Sequence, residues 1–162
     1  MQGRLQERSD VVAFLELPNG ATPTYRRMKG FTGLSISKNP RTYARQYVDE
    51  TQEQTDVVGY SSGISFGYDK YVGDDVHDYI SEIIDNEVIG TDAVVNILMV
   101  DITIESGRNT WLRPFAVIAD SEGDSMDAYT YSGTFAVKGD KTWGRATVSS
   151  DGMTATWAPD AA

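Results

Sequence analysis

Hydrophobic and polar residues alternate along most of this chain with the two-residue period of a β-strand. Residues 11–17 form a short apolar run that Pro18, Asn19 and Gly20 stop. Short strands are predicted at 25–28 and 31–37 around Lys29 and Gly30, and Asn39-Pro40 marks the next turn. Between 42 and 48, Tyr43, Arg45 and Tyr47 share one face. Residues 49–59 have no periodicity; acidic and rich in Gln and Thr, they predict an exposed connection, long for a hairpin. From 60 to 68, Tyr60, Ser62, Ile64, Phe66 and Tyr68 face one way and Ser61, Gly63, Ser65 and Gly67 the other. The first face suits a core; the second is open to water or to close approach by another backbone.

The period changes once. Val76, Tyr79, Ile80, Ile83 and Ile84 recur at helical spacing and predict one helix over 75–85. Asp74 or Asp75 can cap it, and the helix dipole favours Asp78. Residues 93–104 are the longest strand candidate. Its first half is apolar on both faces and needs cover on both sides, from the helix and from a second sheet or a neighbouring subunit. Pro114 interrupts a strand at 111–119, which signals an edge or a bulge. From 127 to 138, Tyr129, Tyr131, Gly133, Phe135 and Val137 oppose Thr130, Ser132 and Thr134. Strands at 141–149 and 153–157 follow turns at Gly139-Asp140 and Asp151-Gly152. The expected fold is mainly β: a β-sandwich or barrel of antiparallel strands with one flanking α-helix, in a single domain over 1–162.

Charge is split along the chain. The formal net charge is −10, yet residues 1–48 hold eight Lys/Arg against three acids, and the remaining residues six against 21. The acidic bulk disfavours ordinary nucleic-acid binding, which a basic surface drives. The split permits attraction between the basic part of one copy and the acidic surface of another. The absence of cysteine removes disulfides and thiolate chemistry. No apolar run is long enough to cross a bilayer, and the N-terminal residues lack the apolar stretch of a signal peptide.

Nothing in the sequence arranges an active site. The single histidine, His77, falls in the first helical turn among acids, where a surface residue is expected rather than a general base. Residues 120–127 look like a calcium loop but place glycine fourth instead of sixth and have Tyr131 where a bidentate Glu is needed, so an acidic turn is expected and no metal. The Tyr129, Tyr131 and Phe135 face is expected to be core or subunit contact before a carbohydrate platform.

Three stretches carry a family resemblance: residues 49–60 (DETQEQTDVVGY), 84–94 (IDNEVIGTDAV) and 119–135 (ADSEGDSMDAYTYSGTF). Ser61 to Phe66, Val76-His77 and Phe115 to Asp120 fall between them in a specific order. Over roughly residues 43–150 the chain resembles the major tail tube protein of long-tailed phages of Gram-positive bacteria. The resemblance implies a tail-tube-like fold, shared with tubes of contractile tails and of type VI secretion. It implies a structural virion protein assembled in the host cytoplasm, with six copies closing into a ring around a continuous β-barrel. Rings stack into a tube that conducts DNA without specific binding, and no cofactor is implied. Partners implied are further copies of the chain, the tape measure protein, the tail terminator and distal tail proteins. With this reading, Asp49, Glu50, Glu53 and Asp56 are expected to reach a neighbouring ring. Arg26, Arg27, Lys29, Arg41 and Arg45 are the expected counter-surface, and Ser61, Ser65, Thr130, Ser132 and Thr134 are expected to face the lumen. The alternative is a monomeric β-sandwich module binding carbohydrate or a cell-surface ligand.

Overall fold

The computed structural model describes residues 3–123 and 125–160. Met1, Gln2 and Asp124, which the sequence analysis included in the N-terminus and the acidic turn, lie outside the described residues. In chain order the strands are β1 (Val11–Leu17), β2 (Thr24–Arg27), β3 (Phe31–Ser37), β4 (Pro40–Arg45), β5 (Gln54–Tyr60) and β6 (Gly63–Asp69). The helix α1 (Asp75–Asp85) follows, then β7 (Val94–Asp101), β8 (Thr110–Glu122), β9 (Thr130–Val137), β10 (Thr142–Val148) and β11 (Thr154–Pro159).

Nine strands form one antiparallel sheet in the order β10-β11-β2-β1-β7-β8-β9-β6-β3. The start of β8 also pairs with β10, Trp143 opposite Trp111, so six strands close into a small barrel. Beyond that closure β8 runs on and pairs through residues 115–122 with β9. It therefore belongs both to the barrel and to a four-stranded wall, β3-β6-β9-β8. Pro114 sits where β8 changes partners. Its carbonyl accepts from Lys138 N, so its missing N–H faces the gap between β10 and β9, where no ladder bond is lost.

The doubly apolar run in β7 is explained by two cores. Leu98 and Val100 turn into the barrel with Phe14, Tyr25, Ala146 and Ala155. Val95, Ile97 and Met99 turn the other way, onto the core shared with the wall and the helix. The required cover thus comes from within the chain on both sides. The helix spans the predicted residues. Asp74 caps it by accepting from the backbone N–H groups of Val76 and His77. Val76, Ile80, Ile83 and Ile84 are buried on the wall, each worth about 1.5–3 kcal/mol relative to exposure.

Three sequence expectations are corrected. Residues 54–59 are not connection but part of β5, which pairs with β4 to make a separate two-stranded hairpin. Tyr60 ends that hairpin and is exposed; the inward-facing strand begins only at Gly63. The longest strand is β8 with 13 residues, whereas β7 stops at Asp101.

Candidate assembly surfaces

The four-stranded wall has two unlike faces. Ile64, Phe66, Tyr68, Tyr131 and Phe135 are buried against the helix side, with Phe66 and Phe135 stacked at 4.2 Å between centroids. Thus the aromatic face is core, except Tyr129, which precedes β9 and is half exposed. The other face is mostly small and hydroxylated, with the exposed Ile118 of β8 opposite Thr134. Register sets Ser65 opposite Thr134, Gly67 opposite Ser132, and Asp69 opposite Thr130. Ser35 lies opposite Ser65 on the far side, and the Ser121 and Ser132 hydroxyls meet at 2.8 Å. Four of the five lumen candidates therefore share one face. Ser61 does not; it lies in the two-residue corner before β6, its N–H donating to Asn39 O.

The wall has two open edges. One is β3, which pairs only with β6. Arg8 reaches the Leu34 carbonyl from outside the sheet, so the backbone polar groups of Leu34 and Ile36 face outward. The other edge is the end of β8, whose pairing with β7 stops at Ala116 while its pairing with β9 continues to Glu122. Such edges are templates for strand addition from another chain.

The wall also has two unlike ends. At one end β3 leads into the β4–β5 hairpin, which is exposed along its length, Val57, Val58 and Tyr60 included. Asp49, Glu50 and Glu53 lie at or beside its tip, and Asp56 stands within β5 opposite Tyr43. Arg41 and Arg45 belong to this same hairpin: Arg41 lies over Gly59, and Arg45 over the Tyr43 ring at 5.3 Å. Lys38, Arg113 and Lys141 gather beneath it around a pocket of about 310 Å³. Sequence reasoning missed that cluster because its members come from three distant segments.

At the opposite end β6 finishes at Asp69 and β8 at Glu122, Tyr129 stands just before β9, and the helix begins. Glu122 accepts from the Tyr129 hydroxyl at 2.8 Å, which pushes that phenol up to about 12. Arg26 pairs with Asp75 at 3.8 Å, and the Lys29 carbonyl meets the His77 ring, so both belong to this end. Arg27 lies by Gly152. The structure thus divides the five predicted basic residues instead of gathering them.

His77 corrects the surface assignment. It is 0% exposed, stacked on Tyr68 at 4.7 Å. Its Nδ1 accepts from Tyr71 N at 3.0 Å, so Nε2–H donates to Lys29 O at 2.6 Å. Both nitrogens are committed to backbone, and the ring ties the β2–β3 corner to the helix. Behind it the Tyr68 and Ser81 hydroxyls meet at 2.7 Å, and burial pushes the Tyr68 phenol up. Among the described residues no cluster of three or more His, Asp or Glu could hold a metal.

No family model matches the chain, and no curated protein matches it by sequence. Solved structures do. A chain in the tail of an empty gene transfer agent particle, refined with C6 symmetry, matches at TM-score 0.60 and 15% identity over 86% of this chain and 98% of that one. A chain of the native gene transfer agent virion matches at TM-score 0.59 and 14% identity, with the same coverage. The mainly β architecture, a nine-stranded antiparallel sheet with one helix, is a fold found in gene transfer agent particles.

Proposed function

We propose that this chain is a structural tail tube subunit: six copies close into a ring, and rings stack into a tube that conducts DNA. The wall carries the reading. It is a sheet with a buried core behind it, a hydroxylated face in front and an open edge on each side. Copies set side by side can join the β3 edge of one to the β8 edge of the next, and sixfold repetition closes the barrel and removes the edges. The small face then lines the lumen with Ser35, Ser65, Thr130, Ser132 and Thr134. These present no cation to hold phosphate, and DNA slides past. The fold likeness to a chain of a C6 tail supports the sixfold count.

The hairpin serves the axial contact. It leaves one end of the wall, whereas Arg26 and Lys29 lie at the other. In a stack of like-oriented rings, Asp49, Glu50 and Glu53 of one ring approach Arg26 and Lys29 of the next. A tape measure protein, a tail terminator and distal tail proteins would complete the particle, with this chain located in the virion. Phages of Gram-positive bacteria remain the source that the sequence resemblance favours. The burial of Tyr131 and Phe135 leaves the alternative, a carbohydrate-binding module, without its aromatic platform.

Negative-stain electron microscopy over a concentration series, with light scattering beside it, tests the reading. Rings or hollow tubes are expected. Ile36→Pro removes an outward N–H without touching the β6 ladder, and it should leave a folded monomer that no longer closes rings. A wild-type protein that stays monomeric at every concentration, with Ile36→Pro indistinguishable from it, would overturn the assignment and favour the binding module.

A further inference from the structure

In the proposed ring the wall edges are consumed by lateral neighbours. Barrel strands run between the two annular faces, tilted by about 35–45°. The strand ends of the wall therefore form the ring faces, and their charges face the next ring.

At the hairpin end three cations converge without a counter-charge. Arg113 is fixed by donating from Nε to Gly139 O at 2.7 Å. The Lys141 ammonium sits 4.8 Å from the Trp111 ring centroid and 5.3 Å from that of Trp143. Lys38 completes the pocket with Tyr60 and Ser62. Among the described residues no carboxylate lies within ion-pair distance of Lys38, Arg113 or Lys141. Burial, and then the neighbouring charges of Lys38 and Arg113, hold the Lys141 ammonium below its ordinary range. A half-buried cation beside two others is unfavourable until an anion arrives.

At the far end Glu122 closes β8, and Asp127 stands exposed in the loop that follows. Neither makes an ion pair among the described residues. Arg113 and Glu122 lie on the same strand. At about 3.3 Å per residue, the length of β8 between them is roughly 30 Å, so the cation pocket and these acids cannot meet within one copy. They can meet only between copies.

We infer that rings stack with fixed polarity by seating Glu122 and Asp127 of one copy in the Lys38, Arg113 and Lys141 pocket of a copy in the next ring. All copies in a closed ring point the same way, so one annular face carries the cationic pockets and the other the carboxylates. That contact is heterologous and does not close on itself, which makes an open-ended stack. It is separate from the hairpin contact and rests on the tail tube reading.

A charge swap tests it, with ring formation and stacking read separately by electron microscopy and sedimentation. Wild type is expected to form tubes that break down to rings near 1 M salt, where the screening length falls to about 3 Å. K38E/K141E and E122K/D127K should each give rings that do not stack, and the fourfold swap should restore tubes. The milder K38Q/K141Q should shorten tubes even if the reversal misfolds, with circular dichroism confirming the fold. Reversal variants that form tubes as long as wild type would overturn the inference. So would a fourfold swap that closes rings but does not stack. A pocket serving free or nucleic-acid phosphate is the overturning outcome in which K38E/K141E abolishes binding of inorganic phosphate and leaves tube length unchanged. A wild type giving neither rings nor tubes would instead refute the tail tube reading.

Discussion

Two glycines in the wall should respond to the same substitution with opposite signs. Gly133 lies in the middle of β9, on the core face, between Phe66 of β6 and Ala119 of β8. A Cβ there would fall inside contact distance of the Ile118 carbonyl oxygen, 3.0 Å from Phe66 Cζ and 3.1 Å from Phe66 Cε1. The obstructing atom is backbone beside the Ala119/Ser121 bulge, and the ring is stacked on Phe135, so neither can give way cheaply. Gly33, on β3, would place its Cβ 4.0 Å from Gly67 N and meet nothing else. Neither residue has a positive φ, so backbone strain is not at issue and only space differs. Replacing glycine by alanine restricts the unfolded chain and stabilises by about 0.4–1 kcal/mol where the site is free. Gly33→Ala should show that gain. Gly133→Ala sets against it an overpacking cost of about 1–3 kcal/mol, with disturbance of two ladders added. A net loss of about 2 kcal/mol is expected, or a midpoint lowered by roughly 4–8 °C for a domain of this size. Urea and thermal unfolding followed by tryptophan fluorescence will measure both. A Gly133→Ala protein no less stable than Gly33→Ala would show that the wall is not packed as described.

Other perturbations probe separate parts of the molecule. His77→Phe strands the Tyr71 N–H and the Lys29 carbonyl and puts a larger ring in a fully buried site, so it should cost about 2 kcal/mol or more in urea unfolding; an unchanged midpoint would refute the tie between the β2–β3 corner and the helix. Tyr68→Phe should destabilise by removing the 2.7 Å hydroxyl partner of the buried Ser81, and Tyr68→Phe with Ser81→Ala should recover part of that loss. The Asp10 carboxyl is held below its ordinary range by hydrogen bonds first from Arg4 and then from Glu7 N–H, and that of Asp151 by Ser149. Their folded pKa values are depressed, so their stabilisation is complete above the ordinary carboxylate range and is lost as pH falls through it and below. Asp10→Asn should flatten the acid limb of a stability–pH profile, and an unaltered limb would refute the contribution. Reversing Glu50 and Glu53 should shorten tubes at low salt only; tube length and yield unchanged at both low and high salt would leave the hairpin tip without an axial role. Ser65→Lys with Thr134→Lys should make tubes retain DNA at low salt, and the same mobility of DNA past both tubes would remove this face from the lumen.

The sequence was legible where burial imposes a period. The helix was read to the residue because Val76, Ile80, Ile83 and Ile84 face a core and Asp74 caps the first turn. β5 was not legible because the hairpin is exposed on both faces, so pairing with β4 leaves no hydrophobic alternation over residues 54–59. The break at Ser61 and Ser62 was hidden for the opposite reason: Tyr60 keeps the alternation of Ile64, Phe66 and Tyr68 while belonging to another strand. His77 was misplaced because its partners, Lys29 O and Tyr71 N, are backbone atoms that no side-chain pattern reports. Four of the five lumen candidates share one face because alternation within β6 and β9 already put them there. The basic residues were grouped by nearness in sequence, whereas the cation pocket draws on β8, the end of β3 and the turn before β10.

The role of β8 joins these observations. A strand that serves both a closed barrel and an open wall makes wall order depend on barrel stability. Trp111 is paired with Trp143 in the barrel, while Glu122 at the other end is paired with Tyr131 in the wall. A free wall edge invites indiscriminate pairing, so a lone subunit needs those edges restrained. The β3 edge is engaged at Leu34 by Arg8, whose other nitrogen donates to Val11 O on β1. Ring closure would have to displace that arginine from the Leu34 carbonyl before a neighbour's strand could pair there. Arg8→Ala should therefore speed ring formation and promote irregular aggregation, and stopped-flow light scattering with an unchanged assembly rate would show that the arginine is not a guard on that edge.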